Sequence, residues 1–185
     1  MILKTVLAAI FLIFAGCSTM EVDSDYNPKY DFSRLHTFSV IYPEKDGVST
    51  LTQERIASAL VEAMQKKGYV RTDRKDADFY LLFHTDVTEK RQVVTDYQRV
   101  GLYPYYGYGP YAPMVVPVQR EYEYTEGKII VDALDPRGNK IFWRGIATDE
   151  LRSLKTPRER IEYIRKVVDR VLESFPAAKT ASAGK

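Results

Sequence analysis

The sequence predicts an α+β fold. Its parts are an antiparallel or mixed β-sheet of about five to six strands, two amphipathic helices packed on one face, and a long hairpin with a Tyr/Gly/Pro-rich tip. Three observations carry this. Two segments place apolar residues at helical spacing, Ile56-Leu60-Ala63-Met64 and Ile161-Ile164-Val168-Val171-Leu172-Phe175, and each stripe needs a layer to cover it. Around them lie short runs rich in β-branched and aromatic residues, bounded by turn residues. The order strand, strand, helix, about four strands, helix lets both helices share one sheet face.

The chain opens with an export signal. Lys4 supplies a positive start, Val6–Phe14 is an unbroken apolar run, and Ala15-Gly16 lead to Cys17, the only cysteine. The run is too short for a bilayer core of roughly 30 Å, and its layout is that of a removable leader. Phe14-Ala15-Gly16-Cys17 resembles the lipobox of bacterial lipoproteins, with Phe where Leu is usual. The resemblance implies cleavage after Gly16 and lipidation of Cys17, which also uses the one thiol in a disulfide-forming compartment. Ser18 in place of Asp implies, by the same resemblance, the outer membrane facing the periplasm. The expected organisation is a leader over residues 1–16 and a lipidated cysteine with a short tether over 17–19. A single domain follows over 20–175, with a flexible insert at 101–117, and then a disordered tail over 176–185.

Composition is globular, with 45% hydrophobic and 28% charged residues. The 27 basic and 25 acidic residues nearly cancel, which argues against nucleic acid, since phosphate binding needs a concentrated basic patch.

Along the domain, Val22–Tyr26 reads as an extended lead-in strand with a turn at Asn27-Pro28. Leu35–Tyr42 is a second strand stopped by Pro43. Thr50 and Gln53 have capping-box spacing, so a helix is expected over about 51–67, with Gly68 as its stop. Phe79–Phe83 is apolar at both parities, which predicts a central strand covered on both faces. Val87–Val100 and the alternating Val118–Tyr124 read as the arms of the long hairpin. Its tip is Gly101–Pro117, with five Tyr, four Pro and three Gly among 17 residues, a mix unsuited to a regular ladder. Lys128–Leu134 and Lys140–Ala147 form a second hairpin around Pro136 and Gly138, the latter available for positive φ. Thr156-Pro157-Arg158-Glu159 combines an N-cap, a first-turn Pro and a capping Glu, and Pro176 ends the last helix.

Taken in order, these pieces resemble bacterial envelope lipoproteins that carry domain of unknown function 4136. The resemblance rests on Asp23-Ser24-Asp25-Tyr26, Asp31-Phe32, Thr37-Phe38, Lys67-Gly68-Tyr69, Asp76-Ala77-Asp78, the Tyr/Gly/Pro insert, Gly127-Lys128-Ile129, Asp132, Phe142-Trp143-Arg144-Gly145 and Phe175-Pro176. It covers about residues 20–176. It implies an anchored α+β domain in the periplasm and carries over no reaction.

The residues themselves offer little chemistry. Asp23, Asp25 and Asn27 have calcium-loop spacing, but Pro28 and Arg34 stand where Gly and Glu are needed. His36 and His84 lack a ligand set, so no metal and no cofactor is expected. No nucleophile elbow or phosphate loop is present. Asp132, with Asp135 or Glu150, could in principle form an acid–base pair, but an edge-facing Asp132 and a turn Asp135 are the simpler expectation. Trp143 should enter the core, with Arg144 exposed or paired to Asp132 across the hairpin. The tip tyrosines Tyr103, Tyr105, Tyr106, Tyr108 and Tyr111 are the candidate partner-contact residues, because such rings favour interfaces. The expected function is therefore a non-enzymatic binding or scaffolding lipoprotein, joined to the membrane through Cys17 and to a possible envelope protein partner. The alternatives are an accessory lipoprotein of an envelope transport system and a carboxylate-based hydrolase.

Overall fold

The computed structural model describes residues 20–42, 48–100 and 114–179. The chain runs β1 (Glu21–Tyr26), β2 (Thr37–Ile41), α1 (Thr50–Lys66), β3 (Val70–Arg71), β4 (Phe79–Val100), β5 (Met114–Asp135), β6 (Lys140–Glu150) and α2 (Pro157–Val171). The strands make one six-stranded sheet in the order β1-β6-β5-β4-β2-β3. The ladders β1–β6, β6–β5 and β5–β4 are antiparallel, while β2 is parallel to β3 and β4. Parallel neighbours need a long crossover, and α1 is part of it. The predicted α+β class holds; the two-residue β3 is an addition that the short Tyr69–Thr72 run did not announce.

Both helices begin where local chemistry places them. The Ser49 side chain accepts from Thr52 N at 3.4 Å, so the cap lies one residue before the expected Thr50. Gly68, at φ +90°, takes the chain out of α1, a conformation that costs other residues a Cβ clash. Thr156 caps α2 by accepting from Glu159 N at 3.2 Å, while the Glu159 carboxylate reaches Lys155 N at 2.9 Å. In the turn before β6 the positive φ belongs to Asn139, at +50°, and not to Gly138. Asn tolerates that region better than most side chains.

The core lies between one sheet face and the helices. Alternation sends Phe79, Leu81 and Phe83 of β4 and Ile129, Val131 and Ala133 of β5 inward, against Ile56, Leu60 and Met64 of α1 and Val168 and Val171 of α2. Phe79–Phe83 was expected to be covered on both faces; instead Tyr80 and Leu82 are half-buried on the sheet's other face, over which no described helix packs. A bulge explains how two adjacent β6 residues both reach the core. Ala133 pairs with Trp143 and Leu134 with Ile141, so Phe142 is an extra residue and turns inward beside Trp143. Phe175 packs at the centre of an aromatic cluster, with ring centroids 5.0 Å from Trp143 and 5.7 Å from Tyr69 and Phe79.

The chain beyond α2 stays docked further than the expected tail boundary at 176. Ala178 N donates to Lys67 O at 2.9 Å, and Tyr69 Oη donates to Pro176 O at 3.1 Å. Tyr69 is 2% exposed, and burial pushes its phenol up from 10.0 to about 12. Unfolded tyrosine ionises first, so folding stability is unaffected below pH 10. It is expected to fall by about 2 kcal/mol as pH rises to 12. Tyr69→Phe should lose about 1 kcal/mol at pH 7 with the hydrogen bond, and its urea midpoint should decline less between pH 10 and 12 than that of wild type. Equal declines would show that Tyr69 is not the group responsible.

The long hairpin is the fold's departure from a closed domain. β4 and β5 pair without interruption from Tyr80↔Leu134 to Val100↔Met114, but β6 stops at Glu126↔Glu150. Beyond that point Glu89–Val100 and Met114–Thr125 form a bare two-stranded ribbon about 40 Å long. β5 starts at Met114, so residues 114–117, assigned to the tip by their composition, belong to the ladder. Pro117, opposite Tyr97, is tolerable there because each ribbon strand is also an edge. Arg91–Glu123 (3.0 Å), Lys90–Glu126 (3.4 Å) and Arg120–Asp96 (3.6 Å) cross the ribbon. These are solvent-facing pairs that contribute little stability.

Candidate functional site

Of the residues singled out in the sequence, Cys17 and the tip tyrosines Tyr103, Tyr105, Tyr106, Tyr108 and Tyr111 lie outside the described residues. The carboxylates lie inside them and are not brought together. Asp132 is on β5, third in the sheet and 2% exposed, which corrects the edge-facing expectation. Arg144, its register partner on β6, holds it with Nε–Oδ1 at 2.6 Å and Nη2–Oδ2 at 2.7 Å. Of the two expectations for Arg144, the cross-strand pair is the one realised. Asp135 accepts from Tyr30 Oη, Arg34 Nη2 and Arg137 N. Glu150 is opposite Glu126, six residues along β5 from Asp132 and roughly 20 Å away. An acid–base pair needs carboxyls no more than about 9.5 Å apart, so Asp132 has no partner in Glu150.

His36 and His84 are both exposed. His36 contributes its backbone, since its N–H and that of Thr37 each donate to Asp78 Oδ2 at 2.9 Å. Burial alone would raise the Asp78 carboxyl; these donors and the Thr37 hydroxyl outweigh it and hold the carboxyl below its ordinary range. Asp78 thus clamps the start of β2 to the start of β4. Among the described residues no group of His, Cys, Asp and Glu side chains is arranged to hold a metal ion, and no helix is long and apolar enough to cross a membrane.

What sequence reasoning missed is a cavity of about 300 Å³ between the helices and the sheet, at the base of the ribbon. It exists because the first turns of α2 stand off the sheet: Val168 and Val171 are buried, whereas Tyr163, Ile164 and Val167 are only half-buried and form one wall. Ile129, Ala147, Val87 and Gly127 are the floor and Ile56 of α1 faces them. Leu151 closes the ribbon side. A Cβ at Gly127 would come within 2.6 Å of Leu151 Cδ2, so glycine is what allows Leu151 to lie flat there, held by Leu151 N donating to Thr125 O at 2.8 Å.

The lining is mostly apolar, and the charge around it is unbalanced. Arg55, Arg152 and Arg160 border the cavity, with Asp149 as the acid on the same sheet face. By register, the side chains of Asp86 and Lys128 belong to the opposite face. Tyr163 Oη donates to Asp149 at 3.0 Å. Burial, then the Asp149 hydrogen bond and charge, push the phenol well up, so it remains a neutral donor. Arg160 donates from Nε and Nη2 to Leu154 O at 3.2 and 3.1 Å, which ties the 151–155 loop over the mouth. The sequence held a signal for this site: Ile164 extends the α2 stripe a turn beyond what the sheet covers, and Leu151 and Leu154 are apolar residues in a loop.

Three solved structures set the fold in context. The chain resembles PelC from Paraburkholderia phytofirmans, solved as a dodecamer, at 10% identity over 87% of this chain and 99% of that one, with a TM-score of 0.51. It also resembles a PDZ domain protein from Parabacteroides distasonis, at 16% identity and TM-score 0.51, covering 96% of this chain but 41% of that one. A DUF4136 family protein from Bacteroides thetaiotaomicron matches at 15% identity over 85% and 95% of the two chains, with a TM-score of 0.46. At these identities the likeness to the first two concerns the fold alone. A search among curated proteins finds no significant match. The model of the family described as a domain of unknown function, DUF4136, matches residues 22–177, from the second residue of β1 to the docked segment after α2, and the chain belongs to that family.

Proposed function

We propose that this protein is a lipoprotein of the bacterial envelope, held at the outer membrane by acyl chains on Cys17 and facing the periplasm. There it binds or scaffolds an envelope partner without catalysing a reaction, and its long hairpin is the contact arm. The observation that carries the reading is the ribbon itself. Twelve residues of each arm extend past the last β6 pairing, with mixed surfaces on which Val93, Tyr97, Val115 and Tyr122 are exposed. A two-stranded ribbon is marginal in water by itself, and exposed rings are characteristic of contact surfaces.

With Cys17 as the anchor, the register favours an arm that lies beside the membrane. β1 begins at Glu21, opposite Thr148, which pairs with Lys128 and so with Asp86. The chain therefore enters the sheet at the end from which the ribbon leaves. Cys17 is three residues before Met20, a reach of at most about 11 Å. Turning the ribbon away from the membrane would put the body of the domain, about 17 Å of β1 alone, between Met20 and the lipid. A tether this short keeps the arm beside the membrane.

Deleting residues 102–116 is expected to leave the thermal midpoint within about 3 °C of wild type, because its described part, Met114–Val116, pairs only within the two-stranded ribbon, and to abolish crosslinking to envelope partners in cells. Partners captured equally by the deletion variant would remove the arm from the reading. Cys17→Ala should release the protein from membranes or leave residues 1–16 attached; unchanged attachment with a cleaved leader would remove the anchor.

A further inference from the structure

We infer that the cavity at the base of the ribbon binds a single-chain anionic amphiphile: an acyl tail inside and a carboxylate or phosphate head at the arginines. The argument rests on the folded domain and does not require the lipid anchor. The volume is about 300 Å³, the low end for small-ligand sites. At about 30 Å³ for a group the size of water, it accepts roughly ten carbons in a row. The walls formed by Ile129, Ala147, Ile164 and Val167 offer such a tail no hydrogen bonds, and each methylene transferred from water is favourable by about 0.8 kcal/mol.

The mouth selects the sign of the head group. Arg152 is exposed, and Arg55 is half-buried against the cavity. Arg160 keeps Nη1 available after its two bonds to Leu154 O. Asp149, the acid of the lining on that face, is engaged by the Tyr163 hydroxyl. Guanidinium groups bind carboxylate and phosphate through paired hydrogen bonds, so an uncharged head should be discriminated against. The location is suited to such a ligand, since Val22 pairs with Ala147 of the cavity floor and Glu21 with Thr148, placing the opening at the end where the chain enters from its N-terminal segment.

The test uses the full chain as expressed, isolated in phosphatidylcholine vesicles, and two photoactivatable probes: a diazirine-bearing dodecanoate and the corresponding dodecanol. Mass mapping should find the dodecanoate probe on peptides containing Leu151–Val167, with labelling suppressed at least fivefold by excess unlabelled dodecanoate. The alcohol should label at least tenfold less. Arg152→Glu, an exposed change that leaves the core alone, should reduce dodecanoate labelling at least fivefold, and Val167→Trp should block it by filling the tail site. Stronger competition by dodecanoate than by lysophosphatidylglycerol would identify free fatty acid as the source, and stronger competition by the lysolipid a lipid head group; either supports the assignment. Absence of saturable labelling at these peptides, or equal labelling by acid and alcohol, would overturn it. A failed anchor with intact labelling, or the converse, separates this proposal from the proposed function.

Discussion

Arg144→Ala is expected to destabilise the protein by about 3 kcal/mol, toward the low end for breaking a buried ion pair. The reason is asymmetric burial: the Asp132 side chain is 3% exposed, whereas that of Arg144 is 43% exposed. Removing the guanidinium deletes two short charge-assisted hydrogen bonds and leaves a carboxylate in the middle of a sheet without a counter-charge. Removing both partners is a different experiment. Asp132→Leu with Arg144→Leu should recover most of the loss, because two neighbouring apolar side chains across β5 and β6 need no counter-charge. Urea unfolding of wild type, Arg144→Ala and the double variant decides this. A loss below about 1 kcal/mol in Arg144→Ala would mean that water replaces the guanidinium.

Trp143→Ala is expected to cost about 4 kcal/mol, the usual range for truncating a large buried aromatic. That is much of the total stability of a domain this size. Trp143 is 1% exposed, and its ring meets Phe175 edge to face at 5.0 Å. It is the chain's only tryptophan, so wild-type emission should be blue-shifted and should move to the red in the same transition that circular dichroism follows. Gly145 belongs to the same contact. A Cβ there would lie within 2.7 Å of Val171 Cγ1 and press on the indole, so Gly145→Ala should cost about 2 kcal/mol by overpacking. Combined with Trp143→Ala the losses should be less than additive, since the space left by the indole receives the methyl. Strict additivity would mean that α2 shifts away instead.

Much of the architecture was legible because it is written in short-range chemistry. Gly68 and the Thr156-Pro157-Arg158-Glu159 cap mark helix ends through backbone conformation and orphan N–H groups, and both can be read from a few residues. The apolar run Phe79–Phe83 was legible as a strand too, but its coverage was not. Tyr80 and Leu82 have the apolar character of covered residues, yet they face the open side of the sheet, and no local pattern states how many layers a sheet will have. Asp132 failed for a related reason. A polar residue in a strand is usually at an edge, and only pairing in register with Arg144 allows it to be buried.

The candidate site was less legible than the fold. The Tyr-rich tip stands out in composition, whereas the cavity is assembled from Ile56, Ile129, Ala147, Leu151 and Ile164, five ordinary apolar residues on five different segments. A void is a property of how elements fail to meet, and nothing in one segment records it.

By itself the sequence determined the α+β class, both helices with their buried stripes, and the existence of a long hairpin. These follow from periodicity, capping and composition, which act over a few residues. Tertiary structure alone decided that β1 closes one edge and β2 runs parallel to β4, that Asp132 is neutralised by Arg144, and that an arginine-rimmed cavity opens where the ribbon leaves the sheet. Those outcomes depend on which distant residues become neighbours, and that is set by the free energy of packing the whole chain at once.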